Sequence, residues 1–199
     1  MRNWILFGLL FSFSSFCLAQ DVKFSGSWST GVPIGETSTL VNSTSGRGWQ
    51  LDIDRYINDR WSIGGNMGWQ SFFDKDYKMY LKDQSITSGI QRNYINAYWF
   101  SVGSKYYFSS TVNMVKAYLS INLGFSAIEN WEIFGNNEYK EVLGHFTASP
   151  GLGVEIPATK NIGFLMYFKY QHSFKAQNSI HYSWLNTGIG MYFILASDD

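Results

Sequence analysis

Hydrophobic residues recur at every second position through much of this chain. Between Val115 and Phe125, one face carries Val115, Ala117, Leu119, Ile121, Leu123 and Phe125, and the other carries Lys116, Tyr118, Ser120, Asn122 and Gly124. A period of two predicts a β-strand. The same alternation runs through Phe146–Ile156, Trp61–Trp69 and Trp49–Ile53. It continues with Tyr98, Phe100, Val102, Tyr106 and Phe108 in Asn93–Phe108, and with Phe164, Met166, Phe168 and Tyr170 in Ile162–Gln171. Leu185, Ile189, Met191 and Phe193 mark a last strand, and Phe24, Trp28 and Val32 a first. Eight strands are therefore predicted. The longest reach the length of a tilted strand crossing a bilayer, about 9–11 residues.

The connections alternate in length. Asn58-Asp59, Ser109–Asn113 and Pro157–Lys160 are short, whereas Ile34–Ser45, Asp74–Ile90, Glu129–Glu141 and Ser173–Ser179 are long and polar. Long loops at one end and short turns at the other are the habit of transmembrane barrels, whose short turns face the periplasm. An even strand number lets the first strand pair with the last, and lipid tolerates no open sheet edge. The fold class expected is an all-β, closed, eight-stranded antiparallel up-and-down transmembrane β-barrel. Aromatic residues gather where two interfacial girdles would lie. Tyr56, Trp61, Tyr106, Phe108, Tyr192 and Phe193 sit by the short turns; Trp49, Trp69, Phe73, Tyr94, Tyr98, Tyr170, Tyr182 and Trp184 sit by the loops.

The first residues read differently. Arg2, an apolar run from Trp4 to Phe13, and small Cys17 and Ala19 predict a secretory signal peptide over 1–19, with the barrel domain over 20–199. Cys17 is the single cysteine of the chain, so the mature domain can hold no disulfide and no thiolate metal site. Fifteen basic and fifteen acidic residues balance, which implies no general attraction to nucleic acid. No metal-spaced histidine pair, calcium loop or phosphate-binding glycine loop is found, so no cofactor is expected.

Soluble and membrane barrels share the period of two and differ in which face is wet. The polar faces here are rich in glycine: Gly64, Gly68, Gly103, Gly124, Gly151, Gly153, Gly163, Gly188 and Gly190. A bore of eight strands is wide enough only for side chains. Glycines there would make room for Trp99, Tyr107, Tyr118, Tyr167 and Tyr192 on the same faces. Charges on those faces are mixed in sign, and Asp52, Asp54, Lys105, Lys116, Glu155 and Lys169 are expected to form an internal paired network, because a lone buried charge is costly. Gly26-Ser27-Trp28 resembles the Gly-x-Trp motif that opens the lipocalins, which implies the alternative of a soluble ligand carrier with an apolar interior.

Taken with its C-terminal residues, the chain resembles the small outer-membrane β-barrels of the OmpA-transmembrane-domain and OmpX type. Asn186, Gly188, Met191 and Phe193 match the terminal-strand pattern read by the barrel-assembly machinery, followed here by the extra residues Ile194–Asp199. The resemblance implies a Gram-negative outer-membrane location, contact with outer-membrane lipid and lipopolysaccharide, and a structural or surface-interaction role, with binding through the long loops. Passage of small amphipathic molecules, in a porin-like manner, is the alternative role. His181-Tyr182-Ser183 resembles the His-x-Ser pair of the lipid A deacylases, which implies Ser183 as nucleophile and His181 as base, both facing lipid. Trp184 stands where that family has Asn, and no Glu follows Ser183; the later carboxylates are Asp198 and Asp199. The leading expectation is a protein that is not an enzyme.

Overall fold

The computed structural model describes residues 21–82, 85–109, 115–134, 137–176 and 179–195, with side chains described except over 76–89. The expected signal peptide over 1–19, Asp198, Asp199, and the side chains of Asp76, Tyr77, Lys78, Met79, Tyr80, Leu81, Lys82 and Asp83 lie outside the described residues. Eight strands follow in chain order: β1 (Val22–Ile34), β2 (Ser45–Asn58), β3 (Trp61–Lys82), β4 (Ser85–Tyr107), β5 (Lys116–Phe134), β6 (Asn137–Pro157), β7 (Ile162–Ser173) and β8 (Tyr182–Leu195). One short helix, α1 (Thr37–Leu40), lies between β1 and β2.

Each strand pairs antiparallel with its neighbour, and β1 pairs with β8 from Val22↔Leu195 to Ile34↔Ser183, so the sheet is a closed barrel. Closure satisfies the backbone without water. The alternation decides which face looks outward. Phe100, Phe125, Leu152, Met166 and Ile189 are exposed, whereas Lys23, Asp52, Asp54, Lys105, Glu155 and Lys169 are at most 5% exposed. Apolar outside and charged inside is the arrangement of a barrel seated in lipid. The lipocalin alternative is thereby overturned. Trp28 of the Gly-x-Trp motif is 67% exposed on the outer wall, where a soluble barrel would present polar side chains to water.

Inside, large rings lie opposite glycines. Gly68↔Trp99, Tyr118↔Gly153, Gly163↔Tyr192 and Tyr167↔Gly188 are direct cross-strand partners. A methyl group at each of these glycines would meet the partner ring. Small opposite large fills a narrow bore without strain.

The upper bore departs from the expected polar lining. Phe72, Ile95, Ala97, Trp99, Ile128, Tyr182 and Trp184 form a buried apolar cluster that Val41, just after α1, completes. Tyr182 and Trp184, expected in the outer girdle, are inside the barrel, whereas Tyr192, placed by the short turns and on the glycine-rich faces alike, lies inward as its parity predicts. The girdle residues that do face outward include Trp61 against Tyr106 (centroids 4.9 Å apart) near the short turns. On the loop side, Phe73 meets Tyr94 (4.7 Å) and Tyr94 meets Trp131 (5.2 Å).

Two expected loops are strand. β3 and β4 stay paired from Trp61↔Tyr106 to Lys82↔Ser85, and β5 and β6 from Lys116↔Glu155 to Phe134↔Asn137. The strands β3 to β6 hold 22, 23, 19 and 21 residues, whereas β1, β2, β7 and β8 hold 13, 14, 12 and 14. A four-stranded sheet thus stands beyond the rim. Its flanks lose their neighbours: β2 pairing with β3 ends at Arg47↔Ser71, and β7 pairing with β6 ends at Thr147↔Ser173.

Candidate functional site

Three groups of side chains carry chemistry: an ion network in the lower bore, a histidine cluster at the outer end of β7 and β8, and the terminal strand.

The ion network is contributed by five strands. Lys23 donates from β1 to Glu155 on β6 and to the Tyr107 hydroxyl at 2.7 Å, and Tyr107 in turn donates to Glu155 at 3.0 Å. Lys23 also lies 3.4 Å from Asp54 on β2. Lys105 on β4 reaches Asp54 at 2.5 Å and Asp52 at 3.9 Å, and Lys169 on β7 reaches Asp52 at 3.9 Å. Gln50 donates to both oxygens of Asp52 at 2.9 Å. Three buried ammonium groups therefore face three buried carboxylates. Tyr56, Tyr107 and Tyr192 present their rings to Lys23 at 5.3 to 5.8 Å, and Tyr167 presents its ring to Lys169 at 4.8 Å. Such contacts help a cation that has lost its water. The group can hold strands together and fill the bore.

The geometry joins Asp52, Asp54, Lys105, Glu155 and Lys169 but leaves Lys116 aside. Lys116 is half-buried, with its ammonium 5.8 Å from the Tyr56 ring and 6.0 Å from the Tyr107 ring, and it makes no ion pair among the described residues. Lys23 takes its place in the balance. The sequence carries a signal for it, since Lys23 shares parity with Ser25, Ser27 and Ser29, all buried.

At the outer end, Ser183 and His181 do not meet. The His181 Nδ1 accepts the Lys175 backbone N–H at 3.1 Å. The partner of Ser183 is His172, directly opposite in the β7–β8 register, with Nδ1 and Oγ 2.8 Å apart. Tyr170 Oη lies 3.2 Å from the same nitrogen and 3.4 Å from Ser183 Oγ. The His172 and His181 rings stack with centroids 5.5 Å apart. Ser183 is only 6% exposed, because the α1 segment crosses it: its backbone N–H donates to Thr37 Oγ1 at 2.7 Å, and that of His181 donates to Glu36 at 2.8 Å. The expected lipid-facing pair is corrected on both counts. The base beside Ser183 is His172, and the serine is buried instead of facing lipid. No group of three metal-ligating side chains occurs among the described residues.

On β8, Asn186 points inward at 1% exposure, and Gly188 faces the Tyr167 ring. Met191 and Phe193 face outward, with Phe193 between Phe24 and Ile162 in the registers of its two neighbours.

No protein-family model matches the chain, and no curated protein matches its sequence. Solved structures do. The N-terminal β-barrel domain of Pseudomonas aeruginosa OprF superposes with a TM-score of 0.51 at 14% identity, covering 89% of this chain and 98% of that one. Neisserial surface protein A gives 0.51 at 15% identity, with 87% and 96% covered. A major outer membrane protein from Thermus thermophilus gives 0.54 at 11% identity, with 87% and 99% covered. The likeness extends to the fold: this chain has the fold of the small outer-membrane β-barrels, and its outer wall matches a bilayer.

Proposed function

We propose that the chain is a non-enzymatic surface-interaction protein of the outer membrane, exported by the leader 1–19 and inserted by the barrel-assembly machinery through Asn186, Gly188, Met191 and Phe193. The projecting sheet of β3 to β6 carries this reading. Its β6 edge runs beyond the last β6–β7 pair, Thr147↔Ser173, and Tyr139 and Val142 on that edge are 60% and 58% exposed. An unpaired edge offers backbone donors and acceptors to an extended segment of a partner. Cells displaying the parent should adhere to protein- or glycan-coated surfaces. Cells displaying a form with residues 75–92 and 132–139 replaced by short turns should not, although its barrel keeps its heat-shifted mobility on SDS gels. Equal adherence by the trimmed form would end this reading.

Passage through the bore is disfavoured by the two plugs stacked in it, the ion network and the apolar cluster around Trp184. Ester hydrolysis is disfavoured by the burial of Ser183 and by the lack of a carboxylate on the His172 ring among the described residues. A serine hydrolase needs a group that orients its histidine. The purified protein is expected to release no more fatty acid from lipid A than its Ser183→Ala variant. Release that the substitution abolishes would restore the enzymatic reading.

A further inference from the structure

The outer wall carries a feature that a plain aromatic girdle does not require. Trp28, Trp49 and Trp69 are consecutive cross-strand partners on β1, β2 and β3, and all lie on the lipid side. Between them lies a groove of about 510 Å³, walled by the three indoles and by Arg47. Trp28 is 67% and Trp49 42% exposed. The Trp28 ring is not free to swing, because its Nε1 donates to the Gly46 carbonyl at 2.6 Å. Arg47 stands two residues beyond Trp49 on the same face of β2, towards the rim. It is exposed and makes no ion pair among the described residues. Its row neighbours Ser71 and Asn96 are neutral. The outward carboxylate farther along that row, Glu129, is held by Lys140 at 2.5 Å.

A guanidinium beside stacked aromatic faces has a definite complement. The guanidinium fork fits the paired oxygens of a phosphate. Rigid indole faces, amphipathic and at home at the membrane boundary, pack against the flat apolar faces of a sugar ring. A phospholipid would use the cation alone and leave the three-ring wall to its acyl chains. From this combination we infer that the groove binds the phosphorylated glucosamine headgroup of an outer-leaflet glycolipid, lipid A. Arg47 takes the phosphate, and Trp28, Trp49 and Trp69 take the sugar. The inference rests on the outer-membrane reading above and names one partner of the wall.

The test is native mass spectrometry of the full mature protein in detergent, titrated separately with bis-phosphorylated lipid A, dephosphorylated lipid A and phosphatidylglycerol. The parent should bind bis-phosphorylated lipid A about tenfold more tightly than either of the others, the factor expected for one charge-assisted bidentate contact. Arg47→Gln should lose that factor and no longer distinguish the dephosphorylated form. Arg47→Lys should keep part of it, and Arg60→Gln, an exposed arginine at the short-turn end of the barrel, should keep all of it. Undiminished binding by Arg47→Gln overturns the site, and equal binding of phosphatidylglycerol overturns the glycolipid assignment. Should Arg47→Gln fail to fold, the parent's preference between phosphorylated and dephosphorylated lipid A decides in its place. A parent without a heat-shifted gel band would fail earlier, removing the membrane-barrel reading itself.

Discussion

Replacing Lys23 with Met should lower the stability of the barrel by about 3–5 kcal/mol, the usual cost of stranding a buried charge by removing its partner. Lys23 is fully buried and shares Glu155 with a neutral donor, the Tyr107 hydroxyl. Without the ammonium, the carboxylate of Glu155 has no cation within ion-pairing distance among the described residues, whereas Asp54 keeps Lys105 at 2.5 Å. The double variant Lys23→Met with Glu155→Gln is therefore the informative one. It leaves two carboxylates facing two ammonium groups, Asp52 and Asp54 with Lys105 and Lys169. It should regain at least half of the loss, although Met adds no hydrogen bond. Urea unfolding in lipid vesicles, followed by the heat-shifted gel band, reads both. If the double variant is as weak as the single one, Lys23 acts through packing and the ion network is incidental to stability.

The second large effect is expected at Gly190, where the barrel shuts. Ser27↔Gly190 is a register pair of the β1–β8 seam. A Cβ on Gly190 would press on the Gly26 carbonyl oxygen and lie 2.6 Å from Ser27 Cα and 2.7 Å from Ser27 Cβ. Two of these atoms are backbone, so no side-chain rotation relieves the contact. Overpacking a core usually costs about 1–3 kcal/mol, and more where the neighbour cannot yield. Gly190→Val should therefore cost about 3 kcal/mol or more and abolish the heat-shifted band. Gly144→Val, whose Cβ would find no heavy atom within 4 Å, should leave the band intact. A folded Gly190→Val protein would mean that the seam has slack that this geometry does not show.

The barrel is legible in the sequence because it rests on parity, and parity is local. Each strand needs only its own alternation to assign Phe100 outward and Trp99 inward. The positions that escape such a reading depend on contacts between distant segments. Lys23 lies near the start of a strand whose apolar side, Phe24, Trp28 and Val32, is interrupted by Gly26, so its polar side stands out less. Ser183 has outward parity yet is buried, because Thr37 crosses it from 146 residues away in the chain. His172 sits opposite Ser183 only once the β7–β8 register is fixed. Until then His181, two residues from Ser183, is the nearer histidine. The apolar upper bore escapes for a related reason. Phe72, Ile95 and Trp184 share parity with polar neighbours, and hydrophobic residues on both faces hide the period. The projecting hairpins resemble loops because charge is dense in them: Asp74, Lys75, Asp76, Lys78, Lys82 and Asp83 crowd the first, and this outweighs the alternation that Phe73, Tyr77, Met79 and Leu81 continue.

The distribution of the ion network over five strands also bears on how the barrel is made. Lys23 and Glu155 are 132 positions apart, and Lys105 and Asp54 are 51 apart. Of the ion pairs in the bore among the described residues, Lys23 with Asp54 alone falls within one hairpin, and at 3.4 Å it is longer than either of those two. An unfinished sheet would therefore carry hydrated charges on the side that must later be dry. Partial structures gain little from these contacts until β1 reaches β8. Assembly of this kind has a late, concerted final step, slow in the manner of all long-range pairing. Dissolution should be equally concerted, with the polar bore and the lipid-facing wall lost in one transition and no half-open ring accumulating between them.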